Sequence, residues 1–245
     1  MSDFYGELCT KMYEKEKSLA DEKELEFYLS FVKNQEMKVL EPMCGNGRML
    51  IPFLQKGINI EGFDISEEML KVCKEKGETL KLNPNVYKKG IEEFETEKRY
   101  DLILIPFGSF SLLPDPIVNK SLQNLKRVLS SKGKLLLTIM EKGKEIEEVL
   151  DWKETNRITF TDETIVEYKK VTFNEHTDMV ETELKYQSIQ NNTVQRSEIM
   201  NFPIKLYDFK EFEKTLKANG FKDIFIHEVE NGYGGGSSFQ VFECS

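Results

Sequence analysis

Apolar residues along this chain recur with alternating strand-like and helix-like spacing. Val39-Leu40 form a short apolar run that ends at Glu41, passes through a loop holding Gly45 and Gly47, and continues into Met49, Leu50, Phe53 and Leu54 at helical intervals. Ile58 to Phe63 reads as a second strand and ends at Asp64. Ser66, followed by Glu67 and Glu68, supplies a capping hydroxyl and two acids for the next helix, whose buried side holds Met69, Leu70 and Cys73. Asn85 to Lys89 and Tyr100 to Ile105 are the third and fourth strands. Asp115-Pro116 reads as an N-cap and first-turn proline ahead of the stripe Val118, Leu122, Leu125 and Leu129. Gly133 then turns the chain into a fifth strand, and this alternation predicts an α/β fold around a mostly parallel sheet.

The flanks have different patterns. Residues 1–34 read as a helical arm, with Phe4, Leu8 and Met12 on one stripe and Leu25, Tyr28, Leu29 and Val32 on another, separated by the charged stretch Glu14 to Lys17. The core then runs over 35–150. Within 151–205 the segments Arg157 to Phe160, Thr164 to Phe173, Asp178 to Gln190 and Thr193 to Phe202 read as antiparallel strands. Val180, Thr182, Leu184 and Tyr186 alternate there with Glu181, Glu183 and Lys185. Residues 206–245 hold a helix capped by Asp208 with Glu211, and two strands joined by Asn231-Gly232-Tyr233-Gly234-Gly235-Gly236. That glycine run lacks a following Lys-Ser/Thr and precedes a strand, so it reads as a hairpin loop and not as a phosphate cradle.

The candidate chemistry lies at the first two strand ends. Glycines allow close backbone approach to a ligand, a following helix N-terminus adds a positive dipole, and Asp64 is placed to accept from ribose hydroxyls. Gly45 and Gly47 fit a dinucleotide fingerprint, but Leu50 stands where its third small residue belongs. Glu41 would repel a pyrophosphate and can accept from an ammonium. S-adenosyl-L-methionine (SAM) has a ribose, an ammonium and no phosphate, so the pattern favours it over NAD(P) or flavin.

At these residues the chain resembles the class I SAM-dependent methyltransferases. Val39-Leu40-Glu41-Pro42-Met43-Cys44-Gly45-Asn46-Gly47 looks like their first motif, Asp64 like the ribose acid, and Tyr100 to Ile105 and Gly133 to Thr138 like strands four and five. The layout is most similar to bacterial small-molecule methyltransferases with a β-rich cap, such as aminosugar and glycine N-methyltransferases. The resemblance implies a Rossmann-like seven-stranded, mostly parallel sheet with helices on both faces, an antiparallel β cap inserted after strand five, and SAM as cofactor. It implies cofactor contacts at Tyr13, Glu41, Pro42, Cys44, Gly45, Asn46, Gly47, Asp64, Ile65, Met69, Ile91, Glu92 and Pro106. Tyr13 is the arm residue expected at the methionyl end, with simple packing as its alternative. Where the family carries an adenine-binding acid this chain has Gly90, so the Ile91 backbone or Glu92 is expected to substitute. Cys44 is read as a small side chain at a turn, ahead of a redox or nucleophilic role.

Ligands of parallel sheets bind at the strands' carboxyl edge, where the insertion after strand five starts, so its hairpins are expected to form a lid. Phe107, Ser109 and Phe110, and the aromatics Trp152, Tyr168, Tyr186, Phe202 and Tyr207, are the substrate candidates. A dimer interface is an alternative use of that sheet. DNA adenine and protein glutamine methyltransferases carry Asn or Asp before the proline at the fourth strand's end; Pro106 here follows Ile105, which weighs against base methylation.

The formal net charge of −9 argues against a nucleic-acid partner. No apolar run of membrane-spanning length and no basic-then-apolar leader stands out, which gives the expectation of a cytoplasmic protein with no membrane partner, monomeric or homodimeric. The four cysteines, Cys9, Cys44, Cys73 and Cys244, show no metal spacing, and no metal is expected. Neither His176, in an expected hairpin tip, nor His227, on a late strand, reads as a base, so no catalytic residue is assigned. A poor supply of bases favours an amine acceptor over a hydroxyl or thiol. The expectation is therefore a SAM-dependent methyltransferase acting on a small molecule. The alternatives are an RNA or protein methyltransferase, a SAM-binding protein without transferase activity, or a nicotinamide enzyme.

Overall fold

A computed structural model describes residues 5–143, 145–233 and 237–245. The expectations placed on Phe4 and on Gly234-Gly235-Gly236 fall outside the described residues. Two helices form the arm, α1 (Glu7–Glu16) and α2 (Glu22–Leu29). The core alternates β1 (Lys38–Pro42), α3 (Leu50–Gln55), β2 (Asn59–Asp64), α4 (Glu67–Thr79), β3 (Asn85–Lys88), β4 (Tyr100–Ile105), α5 (Asp115–Val128) and β5 (Leu129–Leu137). After an intervening sheet, α6 (Phe209–Ala218), β12 (Ile224–Val229) and β13 (Phe239–Cys244) complete it.

The main sheet has seven strands in the order β12-β13-β5-β4-β1-β2-β3. All pairs from β5 to β3 are parallel, and β13 runs antiparallel to both β5 and β12. Because β4 lies beside β1, the strand order reverses between them, which is where open parallel sheets bind ligands. Strand β4 is buried on both faces. Leu102 and Leu104 join α2, α3 and α4 in one core cluster, while Ile103 and Ile105 join α5 and α6 in the other.

Two helix starts follow their sequence signals. Ser66 Oγ accepts from Met69 N at 3.2 Å, and Asp208 accepts from Lys210 N and Glu211 N at 2.9 and 3.0 Å. Asp115 does not cap α5: Pro114 takes the N-cap position and Asp115 opens the first turn.

The second sheet contains β6 (Met140–Glu141), β7 (Val149–Thr159), β8 (Thr164–Asn174), β9 (Met179–Gln190), β10 (Thr193–Asn201) and β11 (Ile204–Tyr207). Their order is β6-β11-β9-β8-β7, with β10 also pairing β9. Strand β7 begins eight residues before the expected Arg157, because polar residues along Asp151 to Asn156 hide the alternation. The short β6 and β11 carry too few residues for a period and were not expected. Helix α1 packs Leu8, Cys9 and Met12 against Ile165, Tyr186 and Met200, fastening the arm to this sheet.

Candidate active site

One cavity of about 550 Å³ opens at the carboxyl ends of β1, β2 and β4, a volume suited to a small-molecule ligand. Among the expected residues, it is bordered by Tyr13, Glu41, Cys44, Gly45, Asn46, Asp64, Ile65, Met69, Ile91, Glu92, Pro106, Phe107, Ser109 and Phe202. These come from the arm, three strand ends, two loops and a helix, and the sheet's switch point brings them together.

The glycine loop has two kinds of glycine. Gly45 has φ +51, and a Cβ there would meet nothing within 4 Å, so its backbone lies open to the cavity. Gly47 has φ +75, but its Cβ would sit 2.5 Å from Cys73 Sγ. Gly47 is therefore a packing glycine that does not border the cavity, and Pro42, paired with Phe63 within the sheet, does not border it either. The close helix–strand approach that a dinucleotide motif gains from its third glycine is reached here from the strand. A Cβ on Gly62 would stand 2.8 Å from Leu50 Cδ1 and 2.9 Å from Cys44 Sγ. Cys44 fills that contact, and burial pushes its thiol well up, so it is an inert packing group.

Two of the carboxylates bordering the cavity, Asp64 and Glu41, differ in their hydrogen bonding. Asp64 Oδ2 accepts from Gly45 N at 2.9 Å and Oδ1 from Ser66 N at 2.9 Å. These bonds fix the carboxylate's orientation and leave further lone pairs for a ligand. Burial raises its pKa, and the backbone N–H groups oppose the rise. Glu41 is only 3 % exposed, and its Oε2 has no hydrogen-bond partner. Burial holds its carboxyl well above the ordinary range, with the Arg48 charge as the main opposing influence. A buried carboxylate oxygen without a donor, in a cavity wall, fits a ligand that brings a cation.

Arg48 borders the same cavity and escaped the sequence reading. Its Nη2 meets Glu24 at 2.6 Å and Asp21 at 3.6 Å, while its Nε and Nη1 have no hydrogen-bond partner. Burial lowers the guanidinium's pKa, but the Glu24 hydrogen bond and charge outweigh it, so the group stays charged. Phe107 has φ +60, a strained value for a bulky residue, and its ring receives two cations. The Arg48 guanidinium carbon lies 4.4 Å and the Lys17 Nζ 4.5 Å from the ring centroid. Asn46 also turns to the arm, donating from Nδ2 to Glu14 at 2.7 Å.

Ile65, Met69 and Ile91 make an apolar wall. Its loop is held by Asn124, whose Nδ2 donates to the Glu92 and Ile91 carbonyls at 2.7 and 3.2 Å. Tyr13 and Tyr5 bring two phenols from the arm, their rings 5.9 Å apart edge to face. Burial pushes Tyr13 up to about 12 and Tyr5 up as well, so both are neutral donors at ordinary pH.

Five expected substrate residues lie elsewhere. Phe110 is fully buried in the core against Phe212. Trp152 and Tyr168 receive the ammonium groups of Lys170 and Lys185 at 4.5 to 4.8 Å on the second sheet, away from the cavity. Tyr186 is buried beneath α1, its hydroxyl donating to Glu167 at 2.8 Å. Tyr207 packs on Phe212 with ring centroids 4.9 Å apart. The inserted sheet meets the cavity through the end of β10 and the turn into β11, at Met200, Asn201, Phe202 and Pro203, so of its aromatics only Phe202 borders the cavity. His176 is exposed in the β8–β9 turn, and His227 is paired with Glu243 at 2.7 Å; neither borders it.

Comparison with known proteins places this geometry. A family model described as a methyltransferase domain matches residues 39–133, the stretch from β1 to the middle of β5. A relative from Geobacillus sp. (strain WCH70), provisionally named as a methyltransferase, is 24% identical over 103 residues. That match covers 42% of this chain and 42% of the relative. Among solved structures, an amino pentose methyltransferase of Micromonospora echinaspora, solved with SAM bound, superposes with a TM-score of 0.73 at 15% identity over 100% of both chains. A sugar N-methyltransferase from Streptoalloteichus sp. gives 0.74 at 15% identity over 96% of this chain and 91% of that one. A SAM-dependent methyltransferase from Clostridium acetobutylicum gives 0.73 at 17% identity over 96% of each. At these identities the likeness is one of fold, and the fold is that of the class I methyltransferases.

Proposed function

We infer that this chain, whose residues 39–133 form a methyltransferase domain on the class I fold, binds SAM in the cavity and catalyses methyl transfer to a small-molecule amine. The observation that carries the reading is the buried, partnerless Oε2 of Glu41 beside the open backbone of Gly45 and the oriented carboxylate of Asp64. These residues suit the cofactor's ammonium, its backbone-facing chain and its ribose in turn. Ile65, Met69 and Ile91 suit an adenine face, Tyr13 the methionyl end, and the free Nε and Nη1 of Arg48 its carboxylate.

When bound, SAM supplies a sulfonium-activated methyl that leaves in line as the acceptor nitrogen's lone pair forms the new bond. The protein's part is positional. The arm phenols and the Met200–Pro203 turn exclude water, and the strand ends fix the donor, which lowers the entropic barrier to alignment. Among the described residues, the phenols and thiol bordering the cavity are pushed up by burial, so they remain neutral and do not serve as bases. That supports an acceptor that brings its own free lone pair, as a neutral amine does.

Calorimetric titration with S-adenosylhomocysteine and with NAD tests the donor, and labelled SAM with amine, hydroxyl and thiol panels tests the acceptor. Asp64→Ala is expected to weaken S-adenosylhomocysteine binding by about 1–3 kcal/mol; unchanged affinity in the folded variant would remove Asp64 from the site.

A further inference from the structure

We propose that the acceptor is a phosphate-free amine with an apolar body, such as an arylalkylamine, and that nucleoside-diphosphate sugars are poor ligands. This rests on the methyl-transfer reading and adds the substrate's chemical class. The wall contributed by the 3-10 turn Ser109–Leu112 and by the β10–β11 turn consists of Ser109, Leu112, Met200, Asn201, Phe202 and Pro203. Only Ser109 and Asn201 bring polar side chains, and neither is charged. A diphosphate is held by free Arg or Lys groups or by a helix N-terminus aimed at it; the helix start that borders the cavity beside this wall, Pro114-Asp115-Pro116 of α5, offers two prolines without an N–H and an acid.

The cavity's charges point the same way. Among the described residues, Glu41, Asp64 and Glu92 are the acids that border it and Arg48 and Lys89 the cations. Both cations already have acids: Arg48 meets Glu24 at 2.6 Å, and Lys89 meets Glu93 at 3.5 Å. Lys205, just past Pro203, donates to the Thr177 carbonyl at 2.6 Å and reaches Asp115 at 3.3 Å. With the donor bound, its ammonium and ribose engage Glu41 and Asp64 and its carboxylate the remaining N–H groups of Arg48, so among the described residues no unpaired cation is left on the wall for a diphosphate, whereas the apolar surface suits the body of an amine. Tyr5 supplies the matching surface, with its ring 5.8 Å from that of Phe202 and 5.9 Å from that of Tyr13. In the reaction, the N–C bond forms as the C–S bond breaks. Sulfur keeps the bonding pair, and the nitrogen's proton passes to solvent.

The test is calorimetry on the full chain saturated with S-adenosylhomocysteine, titrated with 2-phenylethylamine and with UDP-glucosamine. The amine is expected to bind at least about tenfold more tightly, and Phe202→Ala to weaken it by about tenfold, on the usual scale for truncating a buried aromatic contact. S-adenosylhomocysteine binding by that variant reports that it is folded. Equal or tighter binding of UDP-glucosamine, no uptake of the amine, or an unaffected Phe202→Ala variant overturns the proposal. Failure of the wild-type chain to bind S-adenosylhomocysteine at all removes the methyl-donor reading, and this inference with it.

Discussion

Glu41→Gln isolates the interaction on which the cofactor reading depends. The side chain is 3 % exposed and its Oε2 has no donor, so an incoming ammonium would make a charge-assisted bond without displacing an existing partner. Such bonds contribute about 1.5–3 kcal/mol, so the variant should bind S-adenosylhomocysteine roughly 10- to 150-fold more weakly. The sign of the pH dependence is also fixed. Burial raises the Glu41 pKa in the free protein above the ordinary 4.5. A bound ammonium would lower it, so binding releases a proton and strengthens as pH rises through the free-protein value, then levels off. Titrations over a pH series that starts at the ordinary carboxylate value and runs upward, in two buffers of different ionisation enthalpy, count that proton. Methylthioadenosine, which keeps the ribose and adenine but lacks the ammonium, is the control. It should bind wild type and variant alike, and any slope it shows belongs to Asp64. Equal S-adenosylhomocysteine affinity for the two proteins, or an equal loss for both ligands, would refute the assignment. The ligand-free fold responds in the matching direction. A raised carboxyl pKa costs stability as pH climbs above 4.5, so Glu41→Gln should raise Tm near neutrality and leave it unchanged in acid.

Gly45→Ala places a methyl in open cavity space at φ +51, so it should cost about 1 kcal/mol in stability while reducing S-adenosylhomocysteine affinity, read by calorimetry. Gly47→Ala should act chiefly on stability, since its Cβ would fall 2.5 Å from Cys73 Sγ; about 1–3 kcal/mol of overpacking should appear in denaturant unfolding. Tyr207→Phe removes a buried hydroxyl that has no partner, so it should stabilise the fold by about 1 kcal/mol, with unchanged turnover. Trp152→Ala should leave kcat and KM within about twofold, surface substitutions away from a site being near-neutral; a larger change would return Trp152 to the substrate pocket.

The middle of the sheet was legible because its central strands are buried on both faces, and such strands read as short apolar runs whatever lies far away in sequence. Tyr100 to Ile105 is one example, and its ends were located to the residue. The donor side of the site was legible for a related reason. Glu41, Gly45 and Asp64 sit at strand ends, and in a parallel sheet those ends share one edge. Gly47 and Gly45 share a motif, yet only the φ values and the position of Cys73 separate the ligand-facing glycine from the packing one. The aromatics of the inserted sheet were misplaced because alternation assigns residues to two faces without saying what each face meets. Tyr186 faces α1, and Trp152 and Tyr168 face lysines, while the cavity is reached through a strand end and turn.

Arg48 shows why the remaining contacts required three dimensions. It directly follows the glycine loop, but its role depends on Glu24 and Asp21 in and beside α2, more than twenty residues upstream. The same arm binds the loop at two more points: Ala20 N donates to Arg48 O at 2.9 Å, and Asn46 donates to Glu14, which also pairs with Lys76 of α4 at 2.9 Å. These polar groups are satisfied only with the arm docked, and docking also brings Tyr5 and Tyr13 to the cavity. Arm order and donor-site geometry are therefore one cooperative unit, in which loosening α1 or α2 exposes Arg48 and leaves Asn46 without its acceptors. The sequence carries both halves of that unit, but the contacts that join them belong to the fold.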